Sequence, residues 1–257
     1  MSKILSGVLL AGLLSLSAQA DLLRVEMGGG IWQNEMKGTI TSTDTTGLIT
    51  ATFDTELLGY EKEDKGYLWM FIKHPIPILP NLRLEYAAVN YSGTSTQSFE
   101  YQGKIYQANT KSETTLDQFD IIMYYNLLDN TAWTTIDLGL DVKIVQSEFN
   151  AVDSLSGVTV DEKETLPIPM AYARARFDLP FGLGIEGIGK YISYKDTKVI
   201  DYLIKADYTL EDVLPIDIGF EVGYRFEKFD IDGDDFSIDT SANIEIDGIF
   251  AGAVIRF

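Results

Sequence analysis

The chain has 257 residues and a net charge of −19, because 39 aspartates and glutamates outnumber 20 lysines and arginines. It contains no cysteine and one histidine, which excludes a disulfide framework, a cysteine-ligated metal site and a cluster of histidine ligands. The negative charge argues against a nucleic-acid partner, since such binding depends on basic side chains that neutralise phosphates. A hydrophobic content of 46% excludes wholesale disorder.

Residues 1–20 have the pattern of a cleavable signal peptide. Lys3 lies near the start, residues 4–16 form an apolar run, and Ala18-Gln19-Ala20 has the small-x-small form of a signal peptidase site. We therefore expect export and a mature chain of residues 21–257. Because no cysteine follows the cleavage site, a lipoprotein is not expected.

Beyond the signal peptide, apolar residues alternate with small or charged ones, which is typical of β-strands. In residues 136–144, for example, isoleucine, leucine and valine alternate with Asp137, Gly139, Asp141 and Lys143. Ten candidate strands follow from this pattern: about 22–33, 66–74, 82–92, 115–128, 134–147, 166–178, 183–194, 199–210, 216–229 and 240–257. The prediction is an all-β fold, a ten-stranded antiparallel up-and-down transmembrane β-barrel, with eight strands as the alternative count.

The predicted connections alternate in length. Short ones carry prolines, glycines and asparagines, and long polar ones cover about 34–65, 93–114, 148–165 and 230–239. Short periplasmic turns and long outer loops are typical of outer-membrane barrels, so we expect residues 21–257 to form one barrel with long acidic extracellular loops. The connection at 195–198 is an exception, because it is short where a long one is expected. In the first long loop, residues 54–59 fit one capped helical turn stopped by Gly59, in a loop that could close the mouth as a lid.

Alternation alone does not fix which face points inward, and a soluble secreted β-protein is the alternative to a membrane barrel. The chain ends in Phe257, preceded by Ile255 and Ala253 at two-residue steps, which is the pattern of an outer-membrane assembly signal. Aromatic residues near the predicted strand ends suit interfacial girdles. They are Tyr67, Trp69, Phe71, Tyr91, Tyr124, Tyr125, Trp133, Phe177, Phe181, Tyr191, Tyr194 and Tyr208. Together with the signal peptide, these features favour the cell outer membrane of a Gram-negative envelope. The facing of strand 66–74 stays open, because both of its faces are apolar.

Several segments carry a resemblance to a known family. They are residues 28–32 (GGGIW), 58–60 (LGY), 74–84 (HPIPILPNLRL), 124–130 (YYNLLDN), 166–175 (LPIPMAYARA), 223–226 (GYRF) and the last strand. The chain resembles an uncharacterised family of small Gram-negative outer-membrane β-barrel proteins marked by glycines in the first strand. The resemblance implies fold and location, and it supplies no catalytic residues to transfer.

The charged faces of the strands are expected to line the lumen, because a lysine or arginine facing lipid at the bilayer midplane costs roughly 2–4 kcal/mol. The lumen candidates are Arg83, Glu85, Asp137, Asp141, Lys143, Arg174, Arg176, Glu186, Lys205, Glu221 and Arg225. With both signs present, these side chains fit a salt-bridged plug or a narrow passage for small solutes. The triplet Gly28-Gly29-Gly30 fits a curvature device or added room in the lumen.

Two functions fit this barrel. One is a porin-like protein, a narrow or gated small-solute channel or a structural envelope barrel. The other is a surface-interaction or adhesion barrel that acts through its acidic outer loops, with a plugged lumen. No enzyme is expected, because the single histidine, His74, lies in a short turn away from the outer rim. No cofactor is expected. The expected partners are outer-membrane lipid and lipopolysaccharide, the barrel-assembly machinery through the C-terminal strand, and divalent cations at acidic stretches such as 230–235.

Overall fold

A computed structural model describes residues 24–43, 50–76, 78–210, 216–236 and 238–257. The predicted signal peptide at 1–20 lies outside these residues. Among the residues described, no helix has the length and apolar character needed to span a membrane.

Long strands dominate the chain. The strands are β1 (Arg24–Thr43), β2 (Thr50–Asp54), β3 (Glu63–Lys73), β4 (Asn81–Ala87), β5 (Asn90–Thr94), β6 (Phe99–Tyr101), β7 (Lys104–Tyr106), β8 (Lys111–Thr131), β9 (Thr134–Val152), β10 (Thr159–Leu179), β11 (Leu183–Tyr194), β12 (Thr197–Leu210), β13 (Asp217–Ile231) and β14 (Thr240–Arg256). One helical turn, α1 (Gly233–Phe236), precedes β14. Two 3-10 turns lie at Thr55–Leu58 and Pro180–Gly182.

These strands form a closed ten-stranded antiparallel barrel, which confirms the predicted fold and strand count. The strands β2 and β3 together form the second wall strand, because both pair with β1. Likewise β4 and β5 form the third, because both pair with β8. Sequential neighbours then pair from β8 to β14, and β14 pairs with β1 from Glu26↔Arg256 to Ser42↔Thr240.

The barrel has two halves of opposite polarity. In the lower half, which carries the β8–β9 and β10–β11 turns, apolar side chains such as Leu140 and Phe220 face outward and charged side chains face inward. In the upper half the faces are exchanged. There Phe149 and Ile244 are buried inside, while Glu148 and Glu245 on the neighbouring positions form ion pairs on the outer face.

This exchange corrects the predicted loop boundaries. Much of 34–65, 93–114 and 148–165 continues as strand, so β1 reaches Thr43 and β9 reaches Val152. Near Gln33 and Gln146 the outward positions change from apolar to polar residues, and the inward positions change from charged to apolar residues. The period of two persists through the change, because β1 and β9 each continue as one paired strand from the lower half into the upper half.

The structure also settles strand two and corrects part of the aromatic prediction. Trp69 and Phe71 are buried inside the barrel, while Leu68 and Met70 alternate on the outer side. Tyr67, Tyr91 and Tyr124 also face inward, so these five aromatics do not belong to an outer girdle. The others are exposed or at the strand ends, namely Tyr125, Trp133, Phe177, Phe181, Tyr191, Tyr194 and Tyr208.

The predicted turn in the first long loop is confirmed. The Asp54 carboxylate accepts the Glu56 N–H at 2.8 Å, and Gly59 ends the turn at φ +71°. Leu58 is fully buried in the upper half. A hairpin of β6 and β7, which the sequence pattern did not predict, packs beside this turn, and Phe53 contacts Phe99 at a ring distance of 5.1 Å. The hairpin reaches across the upper half, because the Tyr101 hydroxyl donates to Glu162 on β10 at 2.5 Å and the Gln102 N–H donates to Ser42 on β1 at 3.0 Å.

The upper wall has a gap above the β11–β12 hairpin. Pairing of β10 with β11 extends from Leu179↔Leu183 only to Ala171↔Tyr191. Beyond that point β10 continues to Thr159 and pairs with β9 alone among the described strands. The gap follows from the short connection between Tyr194 and Thr197, which turns β11 back early.

Candidate functional site

The interior of the lower half is the most charged region of the described chain. The predicted lumen residues all point into it, because each lies on the inner parity of its strand and is buried or nearly so. Sequence reasoning had left out Asp120, Asp201 and Glu227, which complete this interior. The same two-residue alternation could have identified them. In β8, for example, Gln118, Asp120 and Ile122 lie on one face of the strand.

Glu186 is the centre of one group of ion pairs. Its carboxylate accepts Arg174 at 2.7 Å and lies 3.5 Å from both Arg176 and Lys205. Arg83 lies 3.6 Å from the same carboxylate. Four cations therefore surround one buried anion, and each cation has a further acidic partner of its own. Such compensation is required, because a buried charge without a partner costs several kcal/mol.

A second group surrounds Lys143. Its ammonium lies 3.2 Å from Asp120, 3.1 Å from Asp201 and 3.2 Å from Glu227. Arg225 also binds Asp201 at 2.8 Å and Glu227 at 2.7 Å. The group is fully buried, so its charges are neutralised by each other rather than by water.

Several of these contacts cross the lumen between walls that are not neighbours. Lys190 on β11 binds Glu85 on β4 at 2.6 Å. Glu221 on β13 accepts the Tyr67 hydroxyl at 2.8 Å and the Trp69 indole N–H at 2.9 Å, both from β3. We call the whole set the charged plug. It comprises Arg83, Glu85, Asp120, Asp137, Asp141, Lys143, Arg174, Arg176, Glu186, Lys190, Asp201, Lys205, Asp207, Glu221, Arg225 and Glu227.

Aromatic rings fill the space beside the plug. The Lys205 ammonium lies 4.3 Å from the centroid of the Trp69 ring, and the Arg83 guanidinium lies 5.0 Å from the same centroid. Arg225 lies 5.2 Å from the Trp32 ring. Cations over aromatic faces gain about 0.5–2 kcal/mol when they are desolvated. The rings therefore pack against the cations of the plug and stabilise them.

Asp141 differs from the rest of the plug. Neither of its carboxylate oxygens has a hydrogen-bond partner among the described residues, and its nearest cation, Lys190, lies 3.8 Å away. The hydroxyls of Tyr124 and Tyr172 are also buried without a partner there. The plug is thus densely paired around Glu186 and Lys143, and less complete at Asp141.

The first glycine of the triplet makes room for an inner side chain. A Cβ on Gly28 would lie 2.6 Å from the Trp69 ring on the paired strand. The space that Gly28 leaves is therefore occupied by Trp69 and does not widen the lumen. Gly29 points to the outer face, where its position is paired with Leu68.

The last strand completes the wall. Ile255 pairs with Met27 and Ala253 with Gly29 on β1, and the Phe257 N–H donates to the Val25 carbonyl at 2.9 Å. These residues therefore close the barrel through backbone hydrogen bonds.

Acidic residues near α1 are used within the chain. The Asp232 carboxylate accepts the Asp234 N–H at 2.9 Å, and Asp235 accepts the Thr197 N–H at 3.1 Å and lies 3.2 Å from Lys195. No group of three or more acidic or histidine side chains with metal-binding geometry occurs in the part of the chain that is described. This segment ties the upper half to the β11–β12 hairpin.

His74 organises the turn between β3 and β4. Its Nε2 lies 3.0 Å from the Pro80 carbonyl, and its Nδ1 accepts the Ile76 N–H at 3.2 Å. The Asn81 side chain accepts the His74 backbone N–H at 3.1 Å. The imidazole is therefore committed to backbone contacts at the end of the barrel away from the upper half.

No protein-family model matches the chain, and no curated protein sequence matches it. Among solved structures, the chain is similar to the crystal structure of the P. putida toluene transporter TodX, with 9% sequence identity and a TM-score of 0.28. The alignment covers 94% of this chain and 91% of that chain.

Proposed function

We propose that the chain is an exported outer-membrane β-barrel with a sealed lumen, which acts through its upper half as a binding protein at the cell surface. The observation that carries this proposal is the charged plug, whose contacts cross the lumen in several directions. Ten strands lie near the size at which side chains fill a barrel, since about 8 strands give a filled interior and 16–18 an aqueous channel.

Membrane insertion is supported by the outer face of the lower half. Leu68 is 63% exposed, Leu140 65% and Ile249 61%. Such a belt of apolar side chains on a closed barrel suits lipid, because an exposed apolar surface of that extent is unfavourable in water. Lipid and lipopolysaccharide around this belt, and the assembly machinery at the C-terminal strand, are the partners that such a protein needs.

The proposed protein is not an enzyme. Its buried acids are paired with arginines and lysines, so few are free to act as a general acid or base, and the single histidine holds a turn. The polar outer face of the upper half, which carries Glu35, Glu148 and Glu245, instead offers a hydrated surface for contacts outside the cell.

Single-channel conductance in a planar bilayer tests the sealed lumen. We expect the refolded mature chain, residues 21–257, to insert without discrete conductance steps. A variant with Trp69→Ala, Arg83→Ser and Glu85→Ser removes bulk from the plug, and we expect it to conduct. This variant is the positive control, because its conductance shows that the assay detects an open lumen. Reproducible steps from the unaltered chain would instead support the narrow-channel function and contradict the sealed lumen.

A further inference from the structure

We propose that the upper half binds one small, uncharged, apolar molecule in a cavity between β10 and β13, and that this molecule enters through the gap in the wall. The inference rests on the proposed function, because it names the class of ligand for the upper half.

The cavity lies inside the upper half and measures about 110 Å³. Its wall is largely apolar, with Val145, Phe149, Leu166, Phe229 and Ile244 among its lining side chains. An engineered apolar cavity of about 150 Å³ stays dry and binds benzene or xenon. The size and lining of this cavity therefore suit a small aromatic or branched hydrocarbon.

The polar groups deepest in the cavity margin, Glu162 and Thr114, are paired within the protein, while Glu164 lies at the solvent-exposed entrance. The Glu162 carboxylate accepts the Tyr101 hydroxyl at 2.5 Å and also the Gln102 side-chain amide. The Thr114 hydroxyl lies 2.7 Å from the Tyr60 hydroxyl. None of the lining residues has a buried polar atom without a partner. A charged ligand would lose its hydration against the apolar walls inside, so the cavity favours a neutral one.

The gap above the β11–β12 hairpin provides the entrance. Leu116, Ser147 and Glu164 form one cross-strand row that lines the cavity. Glu164 shares the inner face of β10 with Glu162 and Leu166, yet it is exposed. The upper part of β10 has no strand partner on this side among the described residues, so the wall beside Glu164 is open there. Ile231 and Ile238 line the opposite side.

The entrance lies just above the apolar belt. Tyr191 and Tyr194 at the end of β11 are exposed, with Lys198 at 6.0 Å and Lys195 at 5.2 Å from their ring centroids. Exposed tyrosines with neighbouring lysines are typical of a membrane–water boundary. An apolar molecule concentrated in the membrane therefore has a short path to the cavity.

Methyl NMR of the full mature chain in lipid nanodiscs tests this site with benzene as the probe. We expect the methyl resonances of Val145, Leu166 and Ile244 to shift with a saturable dependence on benzene concentration. The methyls of Leu140, on the outer face, are expected to shift linearly, because benzene only partitions into the surrounding lipid.

Filling the cavity gives a matched comparison. Ala242→Phe places a ring in the cavity, whereas Asn243→Phe places the same ring on the outer face of β14. We expect Ala242→Phe to weaken saturable binding at least about tenfold and Asn243→Phe to leave it unchanged. Ser147→Leu also fills the cavity and serves if Ala242→Phe does not fold. Cavity methyls that respond like Leu140, or saturable binding that survives filling, would overturn the proposal. Conductance is measured separately, so a leaky lumen and an absent ligand site are distinct outcomes.

Discussion

The lower interior of the barrel is filled by ion pairs, whereas the upper interior is filled by phenylalanine, tyrosine and aliphatic side chains. Glu186 and Lys143 each contact three or more opposite charges in the lower half. In the upper half, Phe53 instead contacts Phe99, Tyr101 and Phe149 through their rings. Ion pairs require matched partners at fixed distances, while apolar packing has no direction. The lower half is therefore suited to sealing and the upper half to adapting to a ligand.

The largest effect is expected where the plug loses one anion. Glu186→Gln leaves Arg83, Arg174, Arg176 and Lys205 without their shared carboxylate, and we expect a loss of about 3–5 kcal/mol in the free energy of unfolding. Urea unfolding in micelles, followed by heat-modifiable gel mobility, measures it.

The matched control is Asp141→Asn, which makes the same chemical change at a carboxylate that accepts no hydrogen bond within the described chain. Its free energy of unfolding is expected to stay the same or to rise, because a poorly paired buried charge is removed. Equal losses from both variants would mean that pairing around Glu186 does not set the stability of the plug.

A more local effect is expected in the upper half. Leu58→Ala removes a fully buried side chain beneath the top of the barrel, at an expected cost of about 2–5 kcal/mol confined to that region. Hydrogen exchange measures it: the Thr96 amide, which donates to the Leu57 carbonyl at 2.9 Å, should exchange faster, while the Ala173 amide in the lower wall should not change.

Leu140→Ala, on the outer face of the lower half, is the comparison variant and should leave the Thr96 amide protected. If Leu58→Ala instead accelerates exchange equally at Thr96 and Ala173, the two halves unfold as one unit. The contrast between them would then concern packing chemistry and not stability.

The smallest effect concerns pH at the β9–β10 turn, above the belt. Hydrogen bonds from the Ser156 hydroxyl and from the Gln107, Leu155 and Ser156 backbone amides lower the pKa of Asp153 to about 2. Because this pKa lies below the ordinary value of about 3.9, the stabilisation is complete above that value and is lost as pH falls through about 2.

Titration of the Leu155 and Gln107 amide shifts measures the Asp153 ionisation. Ser156→Ala removes the hydroxyl donor, so the pKa of Asp153 should rise toward its ordinary value and the midpoint should move with it. A midpoint near 4 in the unaltered chain would contradict the hydrogen bonds that join this turn to Gln107.

The fold was largely predictable because one period of two runs through every wall strand. The inward parity of Arg174 and Lys143 followed from the same pattern. The partners of Lys143 did not follow, because Asp201 and Glu227 lie on β12 and β13, which are far from β9 in sequence and are not its neighbours in the sheet. The polarity exchange at Gln33 and Gln146 was missed, since polar outward residues read as loop when an apolar outer face is assumed.

The sequence did contain a signal for the β6–β7 hairpin, namely the pair Gln102-Gly103 between two short stretches with alternating aromatic residues. In the structure both residues of this pair have positive φ, at +48° and +71°, as a two-residue hairpin turn requires. The aromatic residues Phe99, Tyr101 and Tyr106 alternate around that turn and are all buried. The cavity below it had no sequence signal, because a void is defined by side chains from several distant strands.

The open edge of β10 has a consequence for how copies of the molecule would behave when crowded together, as in the proposed membrane. An unpaired strand edge is a template on which a second chain can add a strand, and such edges promote aggregation. A proline fits a paired strand where its missing N–H would face the unpaired side, so we infer that Pro167 and Pro169, which stay in register with β9, leave two fewer N–H donors on the open side. Asp161 and Lys163 add charge along the same edge. The gap can therefore stay open to small molecules while remaining a poor site for strand addition by neighbouring copies.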